Sequence, residues 1–547
     1  MQADPPESQR LEILNEVWKV VSRFGNHKDY MSCAEAWIEF PVKHFTPFEV
    51  NTFLDDIIRH LTPDRAFEHH YPELVRILEQ MLSHSRNLSA LLTMDRFLPF
   101  LNLLQKEPVR TEGCKMVLEA FARKQAESIN DPILINALNY ICKTMHDSVN
   151  ALTVEDERRQ ISNLISHFVR KVSFGRDFEQ QLSFYVEARA TFSNLDSVLV
   201  QLVQSVNLLA IQTRQVVKGH HTRKTASFVK ACAAYSFITI PSLVDVFSRL
   251  ELYLVSGQVA LLNLCLSQAD AFFKAAITLL PEVPSHFPET SDGGKPRPTE
   301  SHHLNYLSNF LSTLLVVPCM VLQDHPDQEP LYLVRGLLSV VQHYSWEPHS
   351  DAPCQLYLRA LALFSALTQE HFLYHVNGVE SNEELYGGDP KYVAEVETLA
   401  SNLLEEILGH LKFLADSGVS GTSLGHSRRI HMYVPQAYRR QAALALELAR
   451  VLLTHADVTQ PSLATLVVNL WGLAQRHGAA DTRSMVCGPT LFAVAPIFSC
   501  SSRSACFLKC ELKWWSGVTQ EIDCMIVFFF FLSLVHVVQT MIIMVGS

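Results

Sequence analysis

The sequence has no CxxC pair, no GxGxxG or Walker loop, and no long run of clustered Lys and Arg. Each absence removes a class of function. A structural zinc site wants paired thiols or histidines one helical turn apart. The histidine doublets here, His69-His70, His220-His221 and His302-His303, are immediate neighbours and read as exposed histidines. Without a glycine-rich loop, a nucleotide cofactor has nothing to hold its phosphates. No catalytic, cofactor-binding or metal-ligating residue is therefore assigned, and no cofactor is expected. Nucleic-acid binding needs several clustered phosphate contacts, whereas the chain carries 45 basic against 56 acidic residues, a net charge of -11. The short doublets Arg428-Arg429 and Arg439-Arg440 read as solvated helix faces.

Met1 to Arg10 is polar, with Asp4 and Glu7 and no apolar stretch, so no secretory signal is expected. The Asn87-Leu88-Ser89 sequon then carries no meaning. Cys33, Cys114, Cys142, Cys232, Cys265, Cys319 and Cys354 are scattered singly, mostly inside apolar runs. That is the usage of reduced, buried thiols in a cytosolic protein.

Strand alternation is almost missing as well, and in its place stands the helical period. Leu14, Val17, Trp18 and Val21 fall on one helix face, and Leu74, Ile77, Leu78, Met81 and Leu82 on another. Ile161, Leu164, Ile165, Phe168 and Val169 make a third stripe. A fourth comprises Val396, Leu399, Leu403, Leu404, Ile407, Leu408 and Leu411. Pro132, Pro241 and Pro461 read as helix starts, where a missing N–H costs little. Between residues 11 and 480 the pattern predicts on the order of twenty helices of three to four turns. So many short helices pack best as a stacked array of antiparallel pairs, each pair covered by its neighbours. The expected fold is all-α, a HEAT-like α-solenoid. No repeat of fixed period is legible, and one or two globular helical domains would give the same pattern.

Three segments interrupt the period. Residues 281–303 carry five prolines and read as an exposed loop between a first part of the solenoid, 1–280, and a second, 304–484. Val376 to Tyr392 and Asp416 to Pro435 read as two further excursions. Ala226 to Leu280 differs in kind, because its helices are apolar on nearly all faces. Such helices are buried all round, so this segment is either the centre of the array or a part that another protein covers.

One chemical motif deserves weighing. Gly421-Thr422-Ser423-Leu424-Gly425 matches the nucleophile-elbow pattern, but that mechanism needs the serine on a sharp turn after a buried strand. No strand is predicted before it, and the chain is not expected to be an enzyme.

Within the apolar segment, Ala231-Cys232-Ala233-Ala234-Tyr235-Ser236-Phe237-Ile238-Thr239-Ile240-Pro241-Ser242-Leu243 is followed by Gly257-Gln258-Val259-Ala260-Leu261 and Leu264-Cys265-Leu266-Ser267-Gln268-Ala269-Asp270. These strings resemble the large solenoid subunits of endosomal coat scaffolds. That family includes the retromer scaffold, vacuolar protein sorting thirty-five, and its counterpart in retriever, the thirty-five-like subunit of the Commander assembly. The resemblance covers about residues 1 to 484. It implies a noncatalytic scaffold that recycles membrane cargo from endosomes to the plasma membrane, peripheral on the cytoplasmic face of endosomes. It also implies partners: a phosphoesterase-fold subunit (vacuolar protein sorting twenty-nine type) on the C-terminal part of the solenoid, and the Commander coiled-coil and COMM-domain proteins. In the family, the region that grips an arrestin-like subunit lies upstream of what corresponds to Met1, so that contact is not expected here.

Residues 485–547 depart from the family. The helical period stops, Cys487, Cys500, Cys506, Cys510 and Cys524 crowd together, and Trp514-Trp515 and Phe528 to Phe531 appear as runs. A replaced final exon or intron read-through produces such a change. The run 525–545 is nevertheless long enough to cross a bilayer. The alternative function is accordingly a tail-anchored, single-pass membrane adaptor with a cytosolic helical domain.

Overall fold

The structure is a computed structural model that describes residues 6–287, 297–316, 331–346, 350–368, 371–376, 379–381, 390–423, 428–458 and 460–477. The proposed span 525–545 and the whole of 485–547 lie outside these residues, as does Cys319. Two compact units divide the chain, Met1–Val259 and Ala260–Ser547. That division does not fall at the Pro-rich segment.

In the first unit the helices are α1 (Glu7–Val21), α2 (His27–Trp37), α3 (Glu39–His44), α4 (Pro47–Leu61), α5 (Tyr71–His84), α6 (Leu88–Leu92) and α7 (Phe97–Leu101). They continue with α8 (Glu107–Lys124), α9 (Pro132–Asp147), α10 (Glu155–Lys171), α11 (Phe178–Thr191), α12 (Asp196–Val216), α13 (Arg223–Thr239) and all but the last turn of α14 (Val246–Leu262). Their start signals are chemical. Thr46 and Glu49 close a capping box at α4, Asp131 caps α9 ahead of Pro132, and Asn87 of the sequon caps α6 through Ala90 N–H. Pro241 is a correction: it starts no α-helix and lies in a 3-10 turn, Ile240–Ser242, that closes α13.

The stripes read from sequence form the core. Leu74, Ile77, Leu78 and Met81 of α5 are fully enclosed, as are Ile165, Phe168 and Val169 of α10. Helices two or three apart in sequence stack, α5 on α8, α8 on α10 and α10 on α12. Side-chain hydrogen bonds show the period that no motif displays. Arg76 reaches Glu35 across 41 positions, Arg96 N–H reaches Asn51 across 45, Gln160 reaches Glu119 across 41, and Lys171 reaches the Ala126 carbonyl across 45. This is the length of a HEAT-type repeat, about 40–47 residues. The unit is an all-α solenoid of antiparallel helix pairs.

The second unit repeats this logic with α15 (Leu266–Leu279), α16 (Glu300–Val316), α17 (Tyr332–His343), α18 (Ala352–Leu367), α19 (Pro390–Ser423), α20 (Arg428–His455) and α21 (Pro461–His477). Here α15 packs on α17, α16 on α18, α18 on α19, and α20 on both α19 and α21. A two-stranded antiparallel ribbon, β1 (His371–Val376) and β2 (Val379–Ser381), follows α18.

Three expectations change. The Pro-rich segment is shorter than 281–303, because α16 begins at Glu300; most of its described residues are exposed, while Val283, Thr299 and His303 are buried. A bridge between His286 and Pro298 draws its ends together. Within Asp416 to Pro435 the described residues are helical, because α19 runs on to Ser423 and α20 starts at Arg428. Finally, Ala226 to Leu280 is buried on only part of its surface. Phe272 and Phe273 of α15 are enclosed, but one face of α13 lies open.

Candidate interaction surface

The open face belongs to the strings that carry the family resemblance. α13 forms because Thr222 and Thr225 cap its start reciprocally, Thr222 N–H donating to Thr225 Oγ1 at 2.9 Å and Thr225 N–H donating back to Thr222 Oγ1 at 3.3 Å. Its inward stripe is Val229, Cys232, Tyr235, Ser236 and Thr239. Helical spacing therefore turns Ala231, Ala234, Phe237 and Ile238 outward, with Phe237 40% and Ile238 59% exposed. Two contacts lay α13 along α11. Tyr235 Oη donates to the Tyr185 carbonyl at 3.1 Å, and Arg189 Nη2 donates to the Ile238 carbonyl at 3.4 Å. Val186, one turn before Arg189 on the neighbouring α11, is also exposed.

The turn after α13 is held while its tip stays apolar. Val244 N–H donates to Asp196 Oδ2 at 2.9 Å, and Asp245 accepts from Ser248 N–H at 2.9 Å. Leu243 is buried, yet Val244 is 82% exposed. An apolar side chain on a fixed backbone binds without the entropy cost of ordering a loop. Beneath this surface, Asn207 Nδ2 donates to Ser256 Oγ at 3.0 Å and Ser236 Oγ donates to Asn207 Oδ1 at 3.4 Å, a buried polar chain joining α12, α13 and α14.

In the second unit a charged cluster joins three helices. Asp351, just before α18, accepts two hydrogen bonds from Arg440 of α20, at 2.6 and 2.7 Å, and one from His410 of α19 at 3.0 Å. Partial burial would raise the Asp351 carboxyl, but the hydrogen bonds from His410 and Arg440 and their charges outweigh it and hold the group at about 2. Arg440 is therefore not the solvated arginine that the doublet suggested. His303 is also not an exposed histidine. It is 2% exposed and stacks on Tyr344 at 4.4 Å between ring centres. Burial, aided by neighbouring His302, pushes its imidazole down to about 4. Tyr344 also lines a cleft of about 440 Å³ with Pro281, Val283, Val340 and His343.

Among the described residues, no reactive constellation accompanies these features. Ser423 ends a 34-residue helix, not the strand that an elbow requires. Burial pushes the Cys114 and Cys354 thiols up to about 12 and Cys142 well above the usual range, which makes them inert packing groups. Among the described residues, no three His, Cys, Asp or Glu side chains could hold a metal, and no helix is long and apolar enough to cross a membrane. The apolar α11–α13 surface was missed because sequence shows an all-apolar helix without showing which face its neighbours cover.

The family model for the VPS35L C-terminal domain matches residues 1–496. A VPS35 endosomal protein-sorting factor-like protein of Danio rerio is 54% identical over 484 residues, covering 88% of this chain and 48% of the relative. The Homo sapiens protein of the same name gives the same figures. That of Drosophila melanogaster is 42% identical over 473 residues, covering 86% and 47%. The chain thus spans about half the length of the curated relatives it matches, and it belongs to the VPS35L C-terminal domain family.

Proposed function

We propose that this chain is a noncatalytic scaffold in endosomal protein sorting, part of a retriever-type complex that recycles membrane cargo from endosomes to the plasma membrane. The observation that carries the reading is the apolar surface of Val186, Phe237, Ile238 and Val244, set on fixed backbone in a stacked helical array. Such a surface is what a binding partner covers, since contiguous apolar patches on soluble proteins mark interaction sites. Family membership supplies the sorting context. The relatives carry endosomal protein sorting in their names. Partners under this reading are the phosphoesterase-fold subunit, the Commander coiled-coil and COMM-domain proteins and, through the complex, the endosomal membrane.

The test is co-purification of the tagged full chain from cells, with quantification of those partners and of the arrestin-like subunit. The scaffold reading expects the phosphoesterase-fold subunit to be retained. Ile238→Glu combined with Val244→Glu should weaken capture of at least one partner by more than tenfold while thermal unfolding stays unchanged. Capture of none by the parent chain would contradict the reading. Carbonate extraction separates the tail-anchored alternative, which keeps the chain in the membrane pellet.

A further inference from the structure

Lys124, Lys171 and Lys218 stand at equal intervals of 47 residues, at the ends of α8, α10 and α12. The first two are used within the array. Lys124 Nζ donates to the carbonyls of Leu82, Ser83 and Ser85, at 2.6, 2.9 and 3.0 Å, and Lys171 Nζ donates to that of Ala126 at 2.5 Å. Each ties its turn to the turn one repeat earlier. Lys218 breaks the series. It is exposed, and among the described residues its ammonium has neither a hydrogen bond nor an ion pair.

The cause is the way α12 ends. Gly219 N–H bonds back to the Arg214 carbonyl at 3.0 Å, and Lys218 takes a left-handed φ of 51° before Gly219 at 83°. This is a Schellman-type stop with lysine where glycine is usual. A left-handed lysine is uncommon and strained, held here by the bonds that close the helix. Around it the sequence is one-sided. Residues 197–244 hold Arg214, Lys218, Arg223, Lys224 and Lys230 and not one Asp or Glu, in a chain of net charge -11. Arg223 and Lys224 occupy the first turn of α13, where acidic residues are normally favoured. Lys224 meets Glu179 at 2.9 Å, and Asp177 lies close by in sequence. Arg223 and Lys230, like Lys218, have no side-chain partner among the described residues. Val216, two positions before Lys218, is 68% exposed.

From these observations we infer that the α12–α13 turn docks on an anionic membrane surface, Lys218, Arg223 and Lys230 meeting lipid phosphates while Val216 enters the interface. Cations flanking an exposed apolar residue are the arrangement that binds negatively charged bilayers, the charge giving attraction and the apolar group depth. The inference stands apart from the scaffold reading, because it concerns lipid and a different surface.

The experiment uses the full chain with vesicles of phosphatidylcholine alone or with 30% phosphatidylserine, at about 0.1 M salt. Amide hydrogen exchange over residues 216–224 is the readout, which insertion of the run 525–545 would not mimic. Exchange there should slow on the phosphatidylserine vesicles only, and 0.5 M salt should reverse it. Lys218→Glu with Arg223→Glu should weaken this charge-dependent binding by more than about tenfold, given the attraction of each basic residue to such surfaces. Val216→Ser should weaken it less. Equal protection by uncharged vesicles would overturn the inference, as would no protection or an unchanged double variant. Protection by polyglutamate but not by vesicles would also overturn it and assign the turn to an acidic protein.

Discussion

Helices α5 and α13 have similar lengths and similar apolar content, and they meet opposite fates. In α5 the apolar residues occupy a single stripe, and Leu74, Ile77, Leu78 and Met81 are all fully enclosed. In α13 they occupy both faces, and Phe237 and Ile238 stay open while Val229 and Cys232 are covered. A helix with one polar face announces which side the fold will bury. One that is apolar all round leaves a side over once its neighbours are placed, and that surplus is where a partner can bind.

The sharpest way to break this contrast is to truncate one residue from each helix. Leu78→Ala removes enclosed methyl groups and should cost about 3 kcal/mol, read as a lower midpoint in urea unfolding. Ile238→Ala should change stability by less than about 0.5 kcal/mol, because its side chain is already in water. Equal costs would show that α13 is covered by the array itself.

Next in size is the buried histidine. With its folded-state pKa depressed to about 4, His303 stays neutral while the unfolded chain takes up a proton near 6.5. Stability from this group is therefore full above about pH 6.5 and falls as the pH drops towards 4, by up to roughly 3 kcal/mol. His303→Phe, which keeps a ring against Tyr344, should flatten that stretch of a thermal-unfolding profile. Asp351→Asn comes third. It removes the charge that Arg440 and His410 share and should destabilise the second unit by about 2 kcal/mol in the same assay. The smallest effect concerns Gly113 of α8. A methyl group there would meet Leu104 Cδ1 at 2.8 Å, so Gly113→Ala trades helix propensity against overpacking, for a net loss of about 1 kcal/mol.

Much of the array was legible in the sequence, because the stripes of α5 and α10 show their inward faces directly. The repeat was not, since it is carried by pairs such as Glu35–Arg76 and Asn51–Arg96, which leave no common motif. Gly418, Gly421 and Pro435 suggested a loop. A glycine costs a helix only about 1 kcal/mol, and the packing of α19 along α18 and α20 is sufficient to carry it through. His303 was misread because α16 starts only three residues before it, which sets it on the helix's buried side. The interaction surface left one sign in the sequence, namely the apolar residues on both faces of α13, and its two possible meanings were separable only in three dimensions.

The claim that the α11–α13 surface is a partner's docking site is tested most directly by amide hydrogen exchange over residues 231–244. The comparison is between the free full chain and the chain in its partner complex isolated from cells. Slower exchange there in the complex, with α5 unchanged, is the predicted result. Identical exchange in both states would contradict it and leave the open face of α13 as unused surface.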